Sequence, residues 1–187
     1  MTPTWRTLLD DALNAHADLA HSRFVALATV DRHQRPANRM VTFRFFMDDD
    51  RLVFTADARS EKHEQLARQP FAELCWYFPL TRQQFRLAGT MRIERGDGGP
   101  EAREALRRSW RERSAASRQS FTWPTPGSAR DPQAAFDAPE PEDPPSHFIL
   151  LMLDPRTVDI LDLGPQPHTR QIFHRDGAGW KATDVNP

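Results

Sequence analysis

The sequence predicts a mainly β protein, folded as an antiparallel barrel with an N-terminal helix and inserted helices. Six or seven short segments alternate or cluster apolar residues as strands do, and most are close neighbours along the chain. The regular strand and helix alternation of a doubly wound sheet is absent, as are the glycine-rich loops of dinucleotide-binding and P-loop proteins. An antiparallel barrel is therefore favoured over a parallel sheet that holds a nucleotide on a glycine-rich loop.

The first half of the chain predicts one helix followed by a run of strands. Apolar residues between positions 4 and 20 recur at spacings of three and four, which indicates an amphipathic helix within residues 1–20. Apolar and β-branched runs at 24–30, 38–46 and 51–55 are separated by turn-forming residues, so they predict a three-stranded meander. Residues 60–69 predict a short helix that has Ser60 as its N-cap.

The second half predicts more strands, a second inserted helix and a long loop. Strands are expected at 71–78 and 84–94, and the clean alternation of the latter indicates one buried face. Pro100 opens a helix predicted to continue through about residue 117. Residues 121–147 contain seven prolines and predict a surface loop. The last strands are expected at 148–153, 157–163, 170–174 and 180–185.

The length indicates a single domain, residues 1–187. The 25 Lys and Arg residues are balanced by 26 Asp and Glu residues, so the net charge of −1 provides no general attraction for nucleic acid or an anionic membrane. The N-terminus lacks the apolar core of a signal peptide, and no stretch approaches the ~20 apolar residues of a membrane span. We therefore expect a cytoplasmic protein.

Neither the lone cysteine nor the histidines predict a metal site. Cys75 lies in an apolar run and is expected to be a buried, inert thiol. Six histidines lack the spacing of metal ligands, so we expect surface or loop side chains at His16, His21, His33, His63, His147 and His174.

Two arginines on one predicted strand indicate an anionic ligand. Because side chains alternate along a strand, Arg39 and Arg44 should lie on opposite faces, each among apolar residues. A partly buried guanidinium needs a carboxylate or phosphate to accept its hydrogen bonds. From this stretch alone, an anionic ligand and ion pairs with nearby acids are both open.

A second basic group lies where the next strand ends and a helix begins. Arg59, Ser60 and Lys62 follow one another there, and a helix N-terminus adds partial positive charge from its free amides. These are the components of a phosphate site, although a basic helix start is also common on solvated surfaces. The two stretches together are the stronger indication.

The order of these motifs resembles the FMN site of the pyridoxamine 5'-phosphate oxidase family, whose fold is a split β-barrel. That family has R-x-V-x-x-K/R on one strand, F/Y-T at the end of the next and S-x-K at a helix start. Its R-Q-x-x-x-x-G strand corresponds to residues 82–89, which assigns the FMN-contacting glutamine to Gln84, or to Gln83 by a one-residue slip. The resemblance implies FMN as cofactor, bound by Arg39, Met40, Val41, Thr42, Arg44, Phe54, Thr55, Ser60, Lys62, Gln84 and Arg170.

The same resemblance implies a substrate site that has been altered. Arg113 and Ser117 sit four residues apart, as the family's substrate-phosphate residues do, while Ser109 occupies the position of an expected tyrosine. The family's R-x-H-x-R motif is represented by His168 and Arg170, but Gln166 replaces its first arginine. Asp184 likewise replaces an arginine in the C-terminal motif. Substrate-binding residues are then Arg44, Arg113, Ser117 and His168, with His168 as the catalytic candidate facing the flavin.

The functional expectation is a homodimer that holds FMN at the subunit interface and oxidises or reduces an unidentified small molecule. Cofactor positions are kept and pyridoxamine-reading positions are changed, so a substrate other than pyridoxamine phosphate is indicated. Residues 121–124 also resemble a bacterial subgroup of FMN-binding proteins related to this oxidase. Two alternatives remain: an NAD(P)H-dependent flavin reductase, and a non-catalytic FMN-binding redox carrier or sensor.

Overall fold

Six strands close into an antiparallel barrel, and two more extend its wall. The computed structural model describes residues 4–177 and 179–187. Within them the sheet runs in the order β3-β2-β1-β4-β5-β6-β7-β8, and an additional pairing of β3 with β6 closes the barrel. The strands are β1 Phe24–Val30, β2 Pro36–Phe46, β3 Leu52–Asp57, β4 Phe71–Phe78, β5 Gln83–Glu94, β6 Phe148–Asp162, β7 Thr169–Asp176 and β8 Gly179–Val185. The predicted antiparallel barrel is confirmed.

The barrel interior is filled by side chains that alternate inward along each strand. In β5, Phe85 and Leu87 are buried while the residues between them are half-buried. Aromatic rings meet across strands, with Phe43 and Trp76 centroids 5.2 Å apart and Phe78 edge-on to Phe85 at 5.5 Å. Such packed rings fill the barrel and leave ligand sites to its ends and outer surface.

The central strand β6 is longer than expected. Its first half pairs with β3 and its second half with β7, while β5 runs beside it throughout. The predicted interruption between residues 153 and 157 was wrong. The Asp154 carboxylate is paired with Arg156 and Arg175, and Pro155 lies opposite Gly89 at a register shift, so polar and proline residues are accommodated without ending the strand.

The N-terminal helix α1, Trp5–Ala15, packs its apolar side on the barrel. The Thr4 hydroxyl caps it by accepting a hydrogen bond from the Thr7 amide, and the ring of Trp5 contacts the edge of Trp180 on β8 at 5.4 Å. A helix was expected within residues 1–20; Met1–Pro3 lie outside the described residues. Among the residues described, no helix is both long and apolar enough to cross a lipid bilayer.

Two expectations about single side chains were wrong. His16 is not on the surface: it is buried, with Nδ1 2.7 Å from the Ala12 carbonyl and Nε2 accepting the Leu80 amide. Cys75 is exposed, because the alternation of β4 buries Leu74 and directs Cys75 outward. Burial of its surroundings still raises the pKa of the Cys75 thiol.

The remaining helices interrupt the strands at two places. Helix α2, Glu61–Arg68, follows β3, and α3, Pro100–Arg111, packs Trp110 against Phe148 outside the barrel. The predicted helix to residue 117 breaks, because Ser114 accepts a hydrogen bond from the Ser117 amide and caps a separate helix. That helix is α4, Ala115–Gln119, followed by a 3₁₀ turn at Ser120–Thr122.

The proline-rich segment has no helix or strand between residues 123 and 147, as expected. It is nevertheless held to the helices by hydrogen bonds to its backbone. Trp110 Nε1 donates to the Glu142 carbonyl, and Gln119 donates to the Ala138 carbonyl, both at 2.9 Å. The segment is therefore a packed cover on the α3 and α4 side.

We expect Gly89→Ala to lower the free energy of unfolding by about 1–3 kcal/mol, because a Cβ there would meet the Asp154 carbonyl and approach Pro155 Cα to 2.8 Å. Gly179→Ala is the matched control, since its Cβ would meet only the Asp176 carbonyl at 3.9 Å. Urea unfolding of both variants measures the difference. Equal stabilities would contradict the close approach of β5 and β6.

Candidate functional site

One end of the barrel carries a basic pocket formed by Arg39, Ser60 and Lys62. Its volume is about 280 Å³, and Pro126 and Gly127 of the proline-rich segment complete the lining with Glu61. Lys62 Nζ donates to Ser60 Oγ at 2.9 Å, and this hydroxyl donates to the Asp57 carbonyl at 2.6 Å. Burial lowers the pKa of Lys62, and the nearby Arg39 lowers it further. An anion would relieve both effects.

Ser60 begins α2 at the N-cap position, as predicted, but its side chain does not cap the helix. Its hydroxyl is used instead to hold Lys62. The first-turn amides of α2 are therefore not occupied by this side chain, which is the arrangement found at anion-binding helix starts. Local sequence thus places a hydroxyl, an ammonium group and a helix N-terminus together.

A group of neutral side chains orients Arg39 towards this pocket. Arg39 Nη1 donates to the Thr29 hydroxyl and, at 3.2 Å, to the Leu27 carbonyl, while Nη2 donates to Gln65 Oε1 at 2.7 Å. Burial lowers the pKa of Arg39, and Glu61 acts in the opposite direction. No ion pair holds Arg39 within the described residues.

A second cationic site lies on the outer surface of the barrel, where Arg44 and Arg113 meet at Thr55. Arg113 Nη1 donates to Thr55 Oγ1 at 2.7 Å, and Arg44 Nη2 approaches the same oxygen at 3.4 Å. Arg44 therefore lies on the opposite side of β2 from Arg39, as predicted. Arg113 reaches the site from the turn after α3, whose packing on β6 fixes its approach.

These two guanidinium groups lack the partners that buried cations usually have. Their Nε atoms are buried and make no hydrogen bond in the described part of the chain, and neither arginine forms an ion pair there. Burial, followed by the like charge of Arg44, lowers the pKa of Arg113 to about 10. Burial and Arg23 lower the pKa of Arg44, against an opposing effect of Glu112. An anion would supply the counter-charge and the hydrogen-bond acceptors that these two groups lack.

The other predicted residues of β2 and β3 differ in what their side chains can contact. Val41 and Phe54 are buried in the barrel core, so only their backbones can reach a ligand. Met40 is 61% exposed and Thr42 is half-buried, both on the outer surface. The strand therefore offers a ligand its backbone together with the side chains of Met40 and Thr42.

Gln84 lies on the outer surface of β5, whereas Gln83 follows the inward alternation of Phe85. The amide of Gln83 donates to Asp162 at 2.9 Å, so it is already engaged. The β5 register thus places Gln84 on the outer surface, while the side-chain amide of Gln83 is held by Asp162.

His168 and Arg170 lie in a different cavity, of about 650 Å³, which the C-terminal residues 184–187 also line. Arg170 is held by two hydrogen bonds to the Asp159 carboxylate, at 2.9 and 2.7 Å. His168 Nδ1 is 3.0 Å from the Pro165 carbonyl. Ser117 lies on α4 and is half-buried; it follows Arg113 by four positions in the sequence. One chain therefore forms two cationic sites on opposite sides of β2 and places His168 and Arg170 in a separate cavity.

Sequence reasoning missed Thr29, Gln65 and Arg23. Gln65 is only 7% exposed and Thr29 only 3%, so both are polar residues at buried positions of a helix and a strand. That pattern was a readable signal, because buried polar groups require partners. Arg23 donates to the Arg44 carbonyl at 2.7 Å, a contact no sequence pattern indicates.

Comparison with known proteins shows which family and fold this chain resembles. The family model of the pyridoxamine 5'-phosphate oxidase, FMN-binding domain, matches residues 2–95. The chain is 34% identical to pyridoxine/pyridoxamine 5'-phosphate oxidase 2 of Arabidopsis thaliana over 98% of this chain and 96% of that protein. A pyridoxamine 5'-phosphate oxidase-related, FMN-binding protein from Nostoc punctiforme has a TM-score of 0.91 and 40% identity, with full coverage of both chains.

A more distant structure shows the same fold. PhzG from Burkholderia lata, solved with tetrahydrophenazine-1-carboxylic acid, superimposes with a TM-score of 0.80 at 22% identity. The superposition covers 100% of this chain and 94% of that one.

We expect Arg113→Met to leave the flavin-free protein as stable as the parent, or to stabilise it by up to about 1–2 kcal/mol. At neutral pH Arg113 is charged, because its pKa of about 10 remains above 7, and it forms no ion pair with any of the residues that the structure describes. Met would keep the packing on Phe121 and Phe148, whose rings lie 5.0 and 5.6 Å from the guanidinium.

The matched control is Arg118→Met, which removes a cation bonded to Glu140 at 2.8 Å and to the Arg113 carbonyl at 3.0 Å. This variant should lose about 0.5–1 kcal/mol. Denaturant unfolding at pH 7 compares the two. A larger loss of stability for Arg113→Met than for Arg118→Met would show that Arg113 stabilises the fold. That result would contradict an uncompensated charge at this position.

Proposed function

Since the chain belongs to the pyridoxamine 5'-phosphate oxidase family of FMN-binding proteins, we propose that it is an FMN-dependent oxidoreductase acting on a small anionic substrate. FMN is the cofactor of this family's domain. The observation that carries the proposal is the convergence of Arg44 and Arg113 on Thr55 without a carboxylate partner. A purely structural pair of buried arginines would be expected to have acids beside it.

The basic pocket fits the phosphate end of FMN. Ser60 is 6% exposed, Lys62 has no ion pair in the described chain, and Arg39 keeps hydrogen-bond donors directed outward. In this proposal Arg39, Ser60 and Lys62 hold the phosphate. The backbone and exposed side chains of residues 40–42, with Phe54, Thr55, Gln84 and Arg170, contact the rest of the cofactor.

Bound FMN would supply an acceptor for a hydride or for two electrons, which side chains alone cannot provide. The chain's own contribution is to orient the substrate beside it. Arg44 and Arg113 would take the substrate's anionic group, with Ser117 as a further donor. His168, from the second cavity, would face the reacting part of the substrate and hold a proton on its ring.

Gln166 and Ser109 distinguish this chain from a protein that binds pyridoxamine phosphate as its substrate. Ser109 is fully buried and its hydroxyl has no partner among the described residues, so it cannot replace a tyrosine that reaches a substrate. The substrate would keep the anionic group and differ at its reacting end. An NAD(P)H-dependent flavin reductase is also compatible with these arginines, because the phosphates of NAD(P)H could bind them.

The site is proposed to be completed by a second copy of the chain. The uncovered outer face, formed by β2, β1 and β4, carries the exposed apolar residues Met40, Phe24, Phe71 and Tyr77 together with Cys75. The helices cover the outside of β3 and β6 and leave this face open. Gln84 lies beside it across the β4 and β5 pairing, opposite Tyr77. Joining two such faces would bring Gln84 to the cationic sites. It would also bring to them His168 of the partner subunit and Arg170 of the partner subunit.

The first experiment is an anaerobic titration of the FMN-loaded protein with pyridoxamine 5'-phosphate and with NADPH, followed by flavin absorbance. We expect an anionic donor to bleach the flavin. Arg113→Met should raise the half-saturating donor concentration about 10-fold or more while FMN affinity changes by less than about 2-fold, because a charge-assisted hydrogen bond contributes about 1.5–3 kcal/mol.

Each other outcome of the titration has a definite meaning. Bound flavin that no phosphate- or carboxylate-bearing donor reduces would support the non-catalytic carrier or sensor. If the donor reduces the flavin equally well in Arg113→Met, the proposed binding of an anionic substrate group at Arg113 would be contradicted. Absence of FMN binding at micromolar concentration would overturn the proposal.

We expect Phe71→Glu to halve the molar mass measured by light scattering after size exclusion, because it places a charge in the proposed apolar interface. Phe71 is 64% exposed, so the change should not affect folding of the subunit. Leu80→Glu is the matched control, since Leu80 is 66% exposed but lies in the turn between β4 and β5. If both variants keep the parent mass, the dimer uses another face.

A further inference from the structure

We infer that Gln65 and Thr29 form a neutral clamp that turns the side edge of the Arg39 guanidinium towards the phosphate pocket and thereby sets the preference for a phosphorylated flavin. The inference rests on the proposed function, since it concerns how the same site selects its cofactor. Gln65 and Thr29 are positioning residues, because they would act through Arg39 and not by contact with the ligand.

The clamp is a closed ring of hydrogen bonds. Arg39 Nη1 donates to Thr29 Oγ1, the Thr29 hydroxyl donates to Gln65 Oε1 at 2.6 Å, and Gln65 Oε1 also accepts from Arg39 Nη2 at 2.7 Å. Both partners are buried, at 3% exposure for Thr29 and 7% for Gln65. A buried ring with each oxygen satisfied allows one orientation of the guanidinium.

The donors that remain after this ring identify the ligand. A guanidinium has five N–H donors, of which the ring takes two and the Leu27 carbonyl takes one, at 3.2 Å. The two left over are Nε–H and the second N–H of Nη2, and neither has a partner in the described residues. They lie side by side on one edge of the planar group, which is the bidentate arrangement that a phosphate or carboxylate accepts.

The neutrality of the clamp distinguishes Arg39 from other arginines of this chain. Arg59 is held by the Asp57 carboxylate at 2.7 Å and Arg170 by the Asp159 carboxylate at 2.7 Å, so their charges are largely balanced. Arg39 is held as firmly by an amide and a hydroxyl, which fix geometry without cancelling charge. Apart from the electrostatic effect of Glu61, its positive charge remains available to an anion.

The elements that meet in the clamp also build the pocket. Gln65 is on α2, the helix that carries Lys62 and begins at Ser60, while Thr29 belongs to β1 and Arg39 to β2. Packing of α2 on β1 therefore positions both Arg39 and Lys62. A side chain that is ordered before binding loses less entropy when the ligand arrives.

The test compares the dissociation constants of FMN and riboflavin, measured by quenching of flavin fluorescence at pH 7.5. We expect Gln65→Leu, which cannot accept a hydrogen bond, to weaken FMN binding about 10-fold or more and riboflavin binding by less than about 2-fold. Gln65→Glu keeps an acceptor oxygen and supplies a compensating charge, so it should also weaken FMN selectively. Gln69→Leu, at the end of the same helix, is the matched control and should bind both flavins as the parent does.

The ratio of the two constants separates positioning from general loss of structure. A damaged fold would weaken both flavins alike, and that result for Gln65→Leu would overturn the inference. Unchanged FMN binding by Gln65→Glu would overturn the role of the uncancelled charge. A parent protein that binds FMN no better than riboflavin would also overturn the clamp while leaving the oxidoreductase proposal in place. A parent that binds neither flavin would overturn both.

Discussion

The arrangement of the whole site depends on positive charge that strand β2 carries without carboxylate partners. Arg39 and Arg44 lie on opposite sides of this one strand, so a single element supplies a cation to each of the two cationic sites. Keeping partly buried cations unpaired costs folding free energy, which the barrel core must offset. Most other arginines that are partly buried, such as Arg59 and Arg170, are given acids. The exceptions therefore mark where ligands belong.

Barrel closure turns those two cations into sites. Pairing of β2 with β3 places Thr55 beside Arg44, and pairing of β3 with β6 gives α3 a surface on which Trp110 packs against Phe148. The turn after α3 then delivers Arg113 to the same threonine. On the other side, α2 packs on β1 and brings Gln65 to Arg39. Each site therefore combines one local strand motif with one long-range contact.

This division explains how much could be predicted from sequence. The positions of most strands, the alternation of β5 and the motif from Arg39 to Lys62 are local patterns, and local patterns can be read from sequence. The continuous β6, the break near Ser114 and the exposure of Cys75 depend on partners that are distant in sequence, such as Arg175 for Asp154. The clamp of Thr29 and Gln65 is of the second kind. A buried Gln on a helix signals that a partner exists but not which one.

The separation of the cationic sites from His168 and Arg170 follows from the same geometry. Those two residues line a cavity on β7 with the C-terminal chain, and the bonds from Arg170 to Asp159 hold it there. Within one chain β7 pairs with β6 and β8, whereas β2 pairs with β1 and β3, so β7 does not lie next to β2. In the homodimer that we propose, a second chain would supply His168 and Arg170, and the exposed outer face beside Gln84 is the surface on which it would pack.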